Sequence, residues 1–292
     1  MKRLLITAGI ALMVVASSCS QKTRTSNQKP VVTVSIQPQK FFVEAIADTL
    51  CQVNVMIPPG SSPATFDAGA EQMRQLTHSQ LYLAIGHVVF ENNWGDRFRK
   101  QNPQMKWVDQ SKDVVLIEGE HVHHHHEGEA HVHKGVDPHV WTSPKAMKKQ
   151  LPVVYEALVA LLPEHEEFLQ KRYDRILMRV DSLDKAVEAS VAAMEQRKFM
   201  IFHPAYTYFA RDYGLEQLPI EFEGKEPTPG HLKEIVQAGR EEGIQYVFIQ
   251  REFPIEKAQV VADEIDAEVV VVEPLAYDWF KAMEHLLTQL AN

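Results

Sequence analysis

The chain has 292 residues, of which 45% are hydrophobic, 24% charged and 9% aromatic. That composition excludes wholesale disorder, collagen and a coiled-coil rod, and the length suits about two domains that can each bury a core. Lys and Arg number 30 against 39 Asp and Glu, a net charge of −9. This argues against a nucleic-acid partner, since phosphate binding needs clustered cations. Two cysteines exclude a disulfide scaffold and a Cys-based zinc finger. Histidine is the anomaly: of fourteen, seven lie between His121 and His133.

Lys2 and Arg3 precede an apolar run from Leu4 to Ala16, too short to span a bilayer, which needs about 20 residues. With the small residues Ala16-Ser17-Ser18 it reads as a secretory signal, residues 1–18. Cys19 follows directly, as in a lipoprotein cleavage box where the cysteine becomes the lipidated first residue. Ala16 stands where such boxes usually carry Leu, so ordinary cleavage with an incidental Cys19 is the alternative. Residues 19–30 are a polar, lipidated tether ending in Pro30. No second apolar run is long enough to span a membrane. Cys51 reads as a small buried hydrophobe.

Near-continuous apolar runs then alternate with amphipathic stretches, the pattern of parallel sheets covered on both faces. Val31–Ile36, Val53–Ile57 and Leu81–Ile85 read as strands, with Val114–Ile117 a weaker fourth. Helices are expected at Lys40–Leu50 and Glu71–Thr77. A second series has strands at Phe199–Phe202, Pro219–Phe222, Tyr246–Ile249 and Val269–Val272. Its helices are Ala205–Tyr213, Pro229–Glu242, Ile255–Ile265 and Asp278–Leu290. Between the series, apolar residues recur at three and four from about Glu164 to Gln196, with Pro163 in a first-turn position. Thirty helical residues span about 45 Å, a strut across two lobes. A plain surface helix of one large domain is the other reading. The expected fold is therefore α/β: two Rossmann-like lobes with mostly parallel sheets, 31–163 and 197–292, joined by one long rigid helix, 164–196, with a cleft between the lobes.

His121, His123, His124, His125, His126, His131 and His133 form an interrupted low-complexity loop, 121–133, that lacks a core pattern and reads as mobile. Neutral imidazole is a ligand for Zn, Cu and Ni, so such a loop can collect metal without fixed geometry, less well at acidic pH. Three segments stand out in the body: Asp137-Pro-His139-Val-Trp141, Phe202-His203-Pro-Ala-Tyr206 and Val272-Glu273-Pro-Leu275. His203 and Glu273 each follow a strand, where α/β sheets bind ligands. Two imidazoles and a carboxylate make most of a tetrahedral zinc site. Singly, a His before Pro is more often a hydrogen-bonded turn residue; the combination is what points to metal.

These segments, with Pro58-Pro-Gly60-Ser-Ser-Pro63, Phe209-Ala-Arg-Asp-Tyr-Gly214 and Glu226-Pro-Thr-Pro229, resemble the periplasmic solute-binding proteins of ABC importers for zinc and manganese, whose two lobes are joined by a rigid helix. The resemblance covers nearly all of the chain after the tether. It implies metal ligation by His139, His203 and Glu273, and the His-rich loop before Asp137 is a feature of the zinc members, which favours Zn2+ over manganese. It further implies a monomer of the periplasm, lipid-anchored through Cys19, that hands metal to a membrane permease driven by a cytoplasmic ATPase. One position departs: the family's first ligand is a His after Ser-Pro, and here it is Ala64. His87, just beyond the strand Leu81–Ile85, is the best substitute; Glu91, a residue of the 121–133 loop, or water are the alternatives.

Two other functions fit less well. A periplasmic zinc hydrolase would use a three-ligand zinc with an open position, but there is no His-Glu-x-x-His helix, and Glu221, Glu223 and Glu226 read as solvated acids rather than a general base. A siderophore-type binder would line its cleft with Trp94, Trp141, Tyr206 and Tyr208 and would leave the histidine loop unexplained. No Gly-x4-Gly-Lys-Ser/Thr motif occurs, so the chain does not itself hydrolyse nucleotide.

Overall fold

The structure, a computed structural model, describes residues 29–123, 131–221 and 227–291, with residues 119–123 and 131–134 known through their backbone alone. The signal, Cys19 and most of the tether lie outside the described residues, as do His124, His125 and His126.

The first half runs β1 (Val31–Val34), α1 (Gln37–Ala47), β2 (Gln52–Val55), α2 (Ala70–Leu76), β3 (Ser79–Ala84), α3 (Val89–Gln101) and β4 (Lys106–Asp109). A hairpin follows, β5 (Glu118–His123) and β6 (His131–Val136), then a 3-10 turn at Val140–Thr142 and α4 (Pro144–Leu161). After a second 3-10 turn at Pro163–His165 comes α5 (Glu166–Ala193). The second half is β7 (Lys198–Ile201), α6 (Thr207–Tyr213), β8 (Glu216–Pro219), α7 (Pro229–Glu241), β9 (Tyr246–Gln250), α8 (Glu256–Ile265), β10 (Glu268–Val272) and α9 (Trp279–Leu290).

Each half forms a four-stranded, all-parallel sheet, in the order β2-β1-β3-β4 and β10-β9-β7-β8. Renumbered within its own half, each sheet has the order 2-1-3-4, so the two lobes repeat one topology. The order reverses between β1 and β3 in the first lobe and between β7 and β9 in the second, and ligands bind beyond the carboxyl ends at such points. The apolar runs explain the central strands: Leu81, Tyr82, Leu83 and Ala84 of β3 are all buried, as are Val247, Phe248 and Ile249 of β9.

α5 has 28 residues, about 42 Å. It buries Leu169, Ile176, Val180, Leu183, Val187 and Val191, a stripe at steps of three, four and seven. The helix packs on α1 and α4 and, less extensively, on α6 and α9. One core cluster therefore runs from Val32 and Phe42 through Trp141 and Val180 to Tyr208, Trp279 and Phe280 without a break between lobes.

Three sequence expectations need correction. Val114–Ile117 is not a strand: Val115 is exposed, its carbonyl accepts from Arg211 Nη1 at 2.6 Å, and the Ile117 N–H donates to Tyr208 Oη at 3.1 Å. The fourth strand is β4, Lys-Trp-Val-Asp, an edge strand whose two apolar residues are too few to make an apolar run. The strand expected at Pro219–Phe222 lies three residues earlier, because Gly214 (φ +70°) ends α6 abruptly and β8 starts almost at once. The ends of the histidine loop are paired strands, with His121 opposite His133 and His123 opposite His131. Among the described residues, no helix is long and apolar enough to cross a membrane.

Candidate metal centre

His203 stands two residues past the end of β7, at the second lobe's switch point. Its backbone is fixed by the last residue of β9: the His203 N–H donates to Gln250 Oε1 (3.3 Å), and Gln250 Nε2 donates to the His203 carbonyl (2.5 Å). The Phe253 ring lies 5.6 Å from the imidazole. Glu221, at the carboxyl end of β8 and only 7% exposed, sits 3.0 Å from His203 Nδ1 through Oε2.

His139 comes from the turn between β6 and the Val140–Thr142 helix. Asp137 Oδ1 accepts from the His139 backbone N–H at 2.9 Å and lies 3.0 Å from its Nδ1. Tyr208 Oη in turn donates to the Asp137 carbonyl at 2.8 Å. Burial works against the Asp137 charge, but the adjacent His139 ring and its hydrogen bonds outweigh it and hold the carboxyl below its usual range.

A carboxylate only accepts, so the Nδ1 of each ring carries the hydrogen and Nε2 presents its lone pair. The two Nε2 atoms face each other 3.2 Å apart. Two nitrogens bound at about 2.05 Å to one tetrahedral zinc are about 3.3 Å apart, so the observed gap is close to the edge of that tetrahedron. Carboxylates behind metal-binding imidazoles fix the tautomer and raise ligand basicity.

Glu273 follows β10, and its segment is tied to that of His139 through Trp141, whose Nε1 donates to the Pro274 carbonyl at 2.9 Å while its ring packs 5.3 Å from His139. Trp279 Nε1 donates to the Trp141 carbonyl at 2.7 Å, so both lobes grip this strip. The Glu273 carboxylate itself is ion-paired with Arg251. His87 lies beyond β3 at the first lobe's switch point. No hydrogen bond or ring contact joins it to His139, His203 or Glu273, and among the described residues no three His, Cys, Asp or Glu side chains converge on one metal position. Ala64 is exposed, and its turn is stitched to the start of α3 by Phe90 N–H to the Pro63 carbonyl (3.1 Å), which keeps it beside the His87 segment. Glu91 is occupied otherwise: its oxygens accept from Ser35 Oγ and from the N–H groups of Ile85 (2.9 Å) and Gly86 (2.8 Å), and burial raises its pKa to about 7.

The sequence reading missed the roles of Asp137, Glu221, Gln250, Arg251, Glu252 and Phe253. Glu221 was hidden inside the misplaced strand; the strand-end rule that selects His203 and Glu273 selects it too once β8 ends at Pro219.

The family "Zinc-uptake complex component A periplasmic" matches residues 32–292. The chain belongs to this family. The high-affinity zinc uptake system protein ZnuA of Bacillus subtilis strain 168 is 25% identical over 281 residues, covering 93% of this chain and 88% of that protein. The zinc-binding lipoprotein AdcA of Streptococcus pneumoniae strain R6 is 26% identical over 283 residues, 93% of this chain but 54% of AdcA. A solved ZnuA structure superposes with a TM-score of 0.83 at 30% identity, covering 91% of this chain and 99% of its own. The family fold is thus two parallel-sheet α/β lobes, and its members are metal-binding components of transport systems.

Proposed function

We propose that the chain captures zinc outside the cytoplasm with high affinity and delivers it to the permease of an ABC importer, with His139, His203, Glu273 and His87 as ligands. The observation that carries this reading is the pair of opposed Nε2 atoms at a zinc-like separation, each imidazole backed by a carboxylate. Three nitrogens and one oxygen suit zinc, whereas manganese prefers more oxygen ligands. His87 enters from the opposite lobe's switch point, so zinc would draw the lobes together. A site closed by four protein ligands has no open position for an activated water, so it carries metal rather than catalysing hydrolysis. Glu221 supports this too: it is buried against His203 and is not a free base. Residues 121–133 gather metal as a secondary site, and Cys19 anchors the chain by lipid on the periplasmic side of a membrane.

The test is zinc stoichiometry and affinity by chelator competition on the mature protein, on a variant lacking residues 121–133, and on His87→Ala and His203→Ala in that background. One tight zinc that survives the deletion and is lost in both alanine variants is the expected result. Loss with His203→Ala alone removes His87 from the ligand set. A deletion variant that binds no zinc overturns the cleft site.

A further inference from the structure

The register of β9 on β10 sets Gln250 opposite Val272. The next residue on each strand, Arg251 and Glu273, therefore leaves the sheet side by side at its carboxyl edge, and Arg251 Nε donates to Glu273 Oε1. This guanidinium compensates more than one acid. Glu252 is largely withdrawn from solvent, and burial followed by the repulsion of Glu273 raises its pKa, while Arg251 and His203 oppose the shift. The Tyr206 hydroxyl is fully buried, has no hydrogen-bond partner among the described residues, and lies in the field of Glu252 and Glu273. The turn that presents Arg251 is itself fixed to the His203 segment, by Gln250 on the backbone and Phe253 on the ring. The Arg251 side chain is 69% exposed and that of Glu273 41%. The guanidinium can thus withdraw into water while the carboxylate stays at the carboxyl edge of the sheet.

We infer that Arg251 is a displaceable counter-ion: it occupies the Glu273 carboxylate in the metal-free protein, and zinc must release it to complete its coordination. The inference rests on Glu273 being a ligand. It accounts for the one proposed acidic ligand that faces a cation of its own rather than His139 and His203. A dication replaces a monocation at the acidic edge, so Glu273 and Glu252 remain compensated throughout. Exposed ion pairs of this kind are weak, so the competition lowers zinc affinity by roughly two- to five-fold rather than blocking binding.

The test is a double-mutant cycle on the full mature chain, with zinc affinity read by chelator competition at low ionic strength. Arg251→Gln is expected to tighten zinc binding by about two- to five-fold, and Arg251→Lys, which keeps the competing charge, to stay within about two-fold of the parent. In a Glu273→Gln background, Arg251→Gln is expected to change nothing. Metal-free melting curves check that each variant folds, which the exposure of Arg251 favours. Unchanged or weaker binding in Arg251→Gln overturns the inference while leaving the ligand assignment intact. A tightening that persists beside Glu273→Gln also overturns it, because Arg251 would then act as a remote charge. If Glu273→Gln alone leaves zinc affinity unchanged, Glu273 is not a ligand and the inference falls, while the His139–His203 pair still carries the zinc-capture reading.

Discussion

Glu91 should make the metal-free protein less stable as pH rises. It is 5% exposed, and its charged neighbour is another acid, Asp109. Burial raises its pKa to about 7, and the hydrogen bonds from Ser35, Gly86 and Ile85 offset this only in part. An unfolded glutamate titrates near 4.3, so the folded chain binds this proton more tightly than the unfolded one. The stability conferred by protonated Glu91 is full below about pH 4.3 and is lost as pH rises through about 7. At about 1.4 kcal/mol per pKa unit, the whole excursion is roughly 3–4 kcal/mol. Urea unfolding of the parent and of Glu91→Gln, in chelator at intervals from pH 4.5 to 8, isolates this term, because other titrating groups cancel in the difference. The parent should lose about 3 kcal/mol relative to the variant across that window. A pH-independent difference would refute the argument, and would mean that the Ser35 and backbone contacts stabilise the ionised form fully.

Removing the carboxylates behind the imidazoles, by Glu221→Gln or Asp137→Asn, should weaken zinc binding by about 10- to 100-fold in chelator competition; unchanged affinity would show that packing alone orients the rings. Trp141→Phe keeps most of the ring but leaves the Pro274 carbonyl without its buried donor, and should cost about 1–3 kcal/mol in urea unfolding. Gly86 has φ +111°, and a Cβ there would lie 2.7 Å from Asp109 Oδ1 and 2.8 Å from Ser111 Oγ. Gly86→Ala should therefore lower stability by more than about 2 kcal/mol, read as a fall in melting temperature.

Much of the fold is legible because parallel strands buried on both faces are unbroken apolar runs, as in Leu81–Ile85 and Tyr246–Ile249. The failures have local causes. α3 has no side-chain cap at Val88, and α4, although it opens on a Ser143 cap followed by Pro144, carries Pro152 inside it, which reads as a helix break. β4 is an edge strand with only Trp107 and Val108 apolar between Lys106 and Asp109, too short an apolar run to stand out. In the site, His139 and His203 were legible because their motifs are contiguous. Their carboxylates were less so: Asp137 is two residues from its ring, but Glu221 is 18 residues from His203 and reaches it only through the β7–β8 pairing. The Arg251–Glu273 pair follows from strand register, which no local pattern reveals.

The core that runs unbroken through both lobes ties metal occupancy to the whole molecule. Where two domains have separate cores, a ligand in their cleft protects each by its own share, and they can melt apart. Here α5 and the Trp141–Trp279 strip join most of the interior into one cluster, beside a smaller one around Met200, Val247 and Val261 in the second lobe, so unfolding should be one event and any zinc binding energy should count against all of it. Free zinc at a hundred times its dissociation constant would add about 2.7 kcal/mol to the entire fold. The chain is then a single thermometer of its own loading, and an empty molecule is the softer target for proteolysis along its full length.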